Sequence, residues 1–135
     1  MKTWAGSLVV GLVLGLAFVL LVHTIPPQPA RQAIALFLAF TACVYVGAML
    51  CRRPPLPFLL LELAVSLVVF ALAVVGLRAS TTALAAGYLL HGFWDLFHRP
   101  RAVSTEVAPW FPPLCAGFDA VVAIALLIGP WRPMA

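Results

Sequence analysis

Five apolar segments, each close to the thickness of a bilayer in length, set the folding problem for this chain. They run at about residues 4–24, 30–51, 56–77, 80–98 and 112–128. Proline and arginine stand between them, as in Ile25-Pro26-Pro27-Gln28-Pro29, Arg52-Arg53-Pro54-Pro55 and Arg99-Pro100. About 20 apolar residues make a helix that crosses the ~30 Å hydrocarbon core. Inside that core every backbone N–H and C=O must be bonded within its own segment, and these segments are too long and too uniformly apolar for barrel strands. The expected fold is therefore an all-α integral membrane protein, a compact bundle of about five transmembrane helices. Residues 1–135 form a single transmembrane domain, and the short loops make successive helices antiparallel neighbours.

Composition excludes the main alternative. With 64% hydrophobic and 9% charged residues, the chain cannot cover a water-facing globule; soluble domains carry about 25% charged residues. The net charge of +4 comes from basic residues placed singly or in pairs between apolar runs, which suits anionic headgroups and not nucleic acid. Lys2 and the run after it read as a retained helix, since the run exceeds a signal h-region of ~7–15 residues and no A-x-A site precedes Pro26. Cys43, Cys51 and Cys115 lack CxxC or zinc-finger spacing and read as small buried hydrophobes.

Lys2, Arg52, Arg53, Arg99 and Arg101 fall on one side of the bundle, Arg31, Arg78 and Arg132 on the other. The imbalance favours a bacterial cytoplasmic membrane with the N-terminus inside and the C-terminus outside. Trp4, Trp94, Trp110 and Trp131 lie near segment ends, as an interfacial belt requires.

The chemistry concentrates in the fourth segment. At 100° per residue His91, Asp95 and His98 fall within about 60° of one another around a helix, and Tyr88 and Thr81 extend the stripe. Such a face must look inward, because ionisable groups against lipid are costly. Glu62 in the third segment and Asp119 in the fifth sit roughly 9–10 Å from the same boundary, at the depth of His91 and Asp95. His91, Asp95, His98, Asp119 and Glu62 make a ligand set suited to a divalent metal such as Zn, Fe or Mn. The catalytic alternative casts His91, Asp95, Asp119 and Glu62 as acid and base toward a lipid-soluble substrate. Proton relay along the stripe, with His23 as an outer contact, is a third use. The same groups could equally do no more than pair helices, at about 0.6 kcal/mol each.

Arg52, Arg53, Arg99 and Arg101 could hold an anionic lipid headgroup over the pocket, although ordinary positive-inside anchoring explains them as well. His23, beside Pro26-Pro27, reads as interfacial. The glycines from Gly6 to Gly15 suit close helix packing. No phosphate loop, nucleophile elbow, HExxH or dinucleotide fingerprint occurs.

The block His91-Gly-Phe-Trp-Asp95-Leu-Phe-His98-Arg-Pro, then Pro109-Trp-Phe-Pro-Pro113 and Cys115-Ala-Gly-Phe-Asp119, resembles the signature region of small bacterial polytopic membrane proteins with no assigned activity. The resemblance spans roughly Gly87 to Ile128. It implies a multi-helix membrane fold and ties Asp119 to His91. The functional expectation is a buried His/Asp/Glu site near the cytoplasmic face, serving a membrane-embedded enzyme or metal centre. A small proton-linked transporter or channel, built as a homo-oligomer, and an accessory subunit of a larger membrane complex are the alternatives.

Overall fold

Proline sets three of the five helix starts. Its missing N–H costs nothing in a first turn, where no intrahelical acceptor exists. Pro27 opens α2 (Pro27–Arg52), three residues earlier than the apolar pattern suggests, because Pro27 and Pro29 both fit that first turn. Pro57 lies in the first turn of α3 (Leu56–Arg78), and Pro112 and Pro113 in that of α5 (Phe111–Ile128). The helix α4 (Thr81–Phe97) starts differently: Ser80 caps it, its side chain accepting from the Ala83 backbone N–H at 3.2 Å. The N-terminal helix is α1 (Lys2–His23). The computed structural model describes residues 2–52, 54–98, 105 and 107–129, and among these the only regular structure is the five helices.

Four of them, α1, α2, α3 and α5, are long and apolar enough to cross a membrane. The fourth helix has 17 residues, about 25 Å of rise, and carries the polar stripe. Large apolar side chains such as Leu20, Leu36, Phe40, Leu67, Phe93 and Ile128 point outward and are exposed. In water so broad an apolar surface would aggregate; in a bilayer it is the solvated surface.

The helices do not all pack in chain order. α4 lies between α3 and α5 and touches α2, while α2 packs on α3. α1 meets α2 only lightly and packs chiefly on α5, its parallel neighbour. This corrects the expectation that each helix neighbours the next. Lipid tails give no hydrophobic drive to helix pairing, so close van der Waals approach decides it. A Cβ on Gly11 would run into the Leu114 backbone, one on Gly15 would lie 2.9 Å from the Phe118 carbonyl oxygen, and one on Gly117 2.5 Å from that of Leu8. Backbones meet directly along this seam. Gly6 has nothing within 4 Å, so the packing role belongs to Gly11 and Gly15 alone.

Across the end of the bundle near the α3–α4 turn, the interior is apolar. Phe18, Phe37 and Phe118 form a trio with ring centroids 4.8–5.3 Å apart, joining α1, α2 and α5. Leu38, Val69, Leu84 and Val122 are buried in the same core. Of the cysteines only Cys115 is buried; Cys43 and Cys51 are exposed on α2, because their positions fall on its outer face.

Candidate functional site

At the opposite end of the bundle the interior turns polar. The i, i+4 spacing of His91 and Asp95 puts both on the buried face of α4, at 2% and 0% exposure. Asp119, nearly two turns deeper than the prolines that open α5, comes to the same point and is 1% exposed. His91 Nδ1 lies 2.7 Å from Asp119 Oδ2 and 3.5 Å from Asp95 Oδ2. One ligand atom from each of the three residues lies within 4.8 Å of the other two. Gly92 lets α5 come this close, since a Cβ there would sit 3.0 Å from Asp119 Cβ.

Two carboxylate oxygens of this cluster, Asp95 Oδ2 and Asp119 Oδ1, are buried with no hydrogen bond among the described residues, and the imidazole between them has the Thr41 backbone as its further polar neighbour. Native interiors rarely leave such groups unpaired. Charge makes the same point. Two carboxylates face one imidazole, so even an imidazolium leaves negative charge in excess where desolvation is expensive. A proton or a cation would balance it.

Glu62 and His98 make a second arrangement beside the first. Glu62 Oε1 lies 2.6 Å from His98 Nε2, and Glu62 Oε2 accepts from Trp94 Nε1 at 2.9 Å. The other ring nitrogen of His98 faces the Trp94 carbonyl at 3.1 Å. Both residues are buried, and each of these polar atoms has a partner. The five candidate ligands therefore divide into the His91, Asp95 and Asp119 group and a Glu62–His98 pair. His98 caps the end of α4, where the chain turns away from the His91–Asp95 face.

Tyr45 links the two. Its hydroxyl donates to Asp95 Oδ1, and its ring stacks on His98 with centroids 3.8 Å apart. It lies fully inside α2, in an apolar run with no charged residue nearby in sequence, so nothing marked it in advance. Trp94, read as an interfacial anchor, also donates a hydrogen bond to Glu62. Thr105 is buried at 3% beside Glu62.

The remaining candidates lie elsewhere. His23 is exposed, with Nδ1 bonded back to the Val19 carbonyl at 2.7 Å. Tyr88 is buried and donates to the Ile34 carbonyl at 2.8 Å, on the apolar side of the cluster. Arg53, Arg99 and Arg101, proposed for headgroups, lie outside the described residues, as does the side chain of Arg52.

The chain belongs to a family of unknown function, DUF6010, whose model matches residues 6–131 and so takes in α2 to α5 and all the buried polar residues described above. No curated protein and no solved structure matches it.

Proposed function

We propose that the protein is an integral membrane metal-binding protein that holds one divalent cation with His91, Asp95 and Asp119. The observation that carries this reading is a buried imidazole set between two buried carboxylates, each of which keeps an oxygen without a hydrogen bond. An imidazole nitrogen with two carboxylate oxygens suits Zn, Fe or Mn. Ligand atoms held about 2.1 Å from a tetrahedral ion stand about 3.4 Å apart, so an ion bound at His91 Nδ1, where the 2.7 and 3.5 Å spacings lie, replaces the His91–Asp119 hydrogen bond and leaves the proton of the imidazole on Nε2. Three protein ligands leave a coordination position for water or substrate. With the N-terminus in the cytoplasm of a bacterial cell, as the basic residues favour, the centre lies near the cytoplasmic face.

Proton-linked transport has less support. Beyond Tyr88 toward Ser80, α4 buries Leu84, Ala85 and Gly87, and the Phe18, Phe37, Phe118 trio fills the adjoining interior. A polar path through one chain stops at that block. Chemistry on a lipid-soluble substrate is a second reading, favoured by an apolar groove of about 610 Å³ whose wall includes Gly92, the residue that backs onto Asp119.

The test is metal analysis of the full chain purified in detergent after reconstitution with Zn²⁺, Mn²⁺ or Fe²⁺. One equivalent of metal is expected in the wild type, and none in Asp119→Asn or His91→Ala. A wild type that retains no metal, or variants that retain as much as it does, would overturn the reading.

A further inference from the structure

Among the described residues two hollows beside α4 near the cluster differ in what lines them. The groove of about 610 Å³ lies against α1, α4 and α5, among Leu8, Leu89, Phe93, Ala116 and Ala120, and neither a carboxylate nor an imidazole lines it. The second is a crevice of about 40 Å³ between Trp4, Pro109, Pro112 and Pro113, with Asp95 and His98 in its wall. Water takes about 30 Å³ in the liquid, so the crevice has room for a single water or a cation shedding its shell. It sits where α1 begins, α4 ends and α5 begins, at the membrane boundary of the polar end.

Asp95 is common to the crevice and the cluster. Its Oδ1 is engaged by Tyr45, and its Oδ2 makes no hydrogen bond and lies 3.5 Å from His91 Nδ1. Resting on the metal-binding reading, we infer that the cation reaches the cluster from the aqueous boundary through this crevice, with Asp95 as first contact and Trp4 and Pro109 as its gate. The arriving ion exchanges waters for the Asp95 carboxylate before it meets His91 and Asp119. The ring of prolines keeps the passage narrow and rigid, because each proline fixes its own φ. The lipid-facing groove offers a cation neither a carboxylate nor an imidazole in exchange for its hydration shell, and Tyr88 in its wall already donates its hydroxyl to the Ile34 carbonyl.

The experiment follows release of Zn²⁺ from the loaded full-length protein to an excess of a water-soluble chelator, in liposomes of neutral phospholipid. Trp4→Ala is expected to speed release about tenfold, equivalent to about 1.4 kcal/mol off the barrier, with the amount of Zn²⁺ bound at saturation unchanged. Pro109→Trp, which narrows the crevice without touching the helix packing, is expected to slow it. Ala120→Leu, which fills the groove, leaves the rate alone. If Ala120→Leu slows release while Trp4→Ala and Pro109→Trp do nothing, the route runs through the lipid-facing groove and this inference falls while metal binding stands. If the wild type holds no Zn²⁺ to release, the metal-binding reading falls and takes the route with it.

Discussion

Two buried acid–imidazole groups sit side by side at one end of this bundle, made from the same residue types, and they are finished differently. In the Glu62–His98 pair both carboxylate oxygens and both ring nitrogens face partners. In the His91, Asp95 and Asp119 group each carboxylate keeps one buried oxygen without a hydrogen bond. A membrane interior penalises both kinds of burial, so the contrast separates two ways of meeting the cost. A closed pair meets it internally and holds helices together; an open cluster leaves it to something that arrives.

The largest effect should come from opening the closed pair. Glu62→Ala strands the buried His98 and Trp94 donors, and breaking a buried pair from one side costs about 3–5 kcal/mol. Replacing both partners, Glu62→Leu with His98→Leu, should restore most of that loss, because no orphaned charge remains. Equilibrium unfolding in mixed detergent reads both. The double variant should also still bind metal; loss of metal with the fold intact would place Glu62 or His98 in the centre and erase the contrast.

The next largest effect belongs to the open cluster and depends on the ion. Metal at one hundred times its dissociation constant should add about 2.7 kcal/mol to the unfolding free energy of the wild type. Asp119→Asn should show no such shift. Without metal this variant should unfold close to the wild type, since the amide oxygen can still accept from His91 Nδ1 and the substitution removes surplus charge. If metal-free Asp119→Asn is destabilised as severely as Glu62→Ala, the cluster is structural, like its neighbour.

How much of this was legible in the sequence depends on the range of the contact. The i, i+4 placement of His91 and Asp95 is local, so helical periodicity alone put them on one inward face, as it did the five helices themselves. Counting residues from the boundaries brought Asp119 and Glu62 to the right depth. Rotation about the axes of α3 and α4 was beyond such counting, and rotation turns Glu62 toward Trp94 and His98. Tyr45 was silent because a tyrosine in an apolar helix signals nothing until its partner across the bundle is known. The α1–α5 pairing was half legible. The glycines at 11 and 15 announced a close approach, but short loops pointed it at α2, and only the matching Gly117 on α5 accounts for the seam.

Tyr45 gives the smallest predicted effect and the finest test of the contrast, because it touches both groups. Its hydroxyl serves Asp95 in the open cluster, while its ring stacks on His98 in the closed pair. Tyr45→Phe keeps the stack and deletes the hydrogen bond, which across membrane helices is worth about 0.6 kcal/mol of stability. Its effect on the ion should exceed that. Partners that orient a ligand carboxylate typically affect metal affinity by about tenfold or more, and Asp95 Oδ1 has Tyr45 to hold it. The expected outcome is near-normal unfolding with a dissociation constant for Zn²⁺ raised about tenfold. Combining Tyr45→Phe with the Glu62→Leu, His98→Leu replacement then measures coupling. Effects on affinity that simply add mean the closed pair is scaffolding and nothing more. Effects that fail to add mean that it positions Tyr45, and through Tyr45 the site.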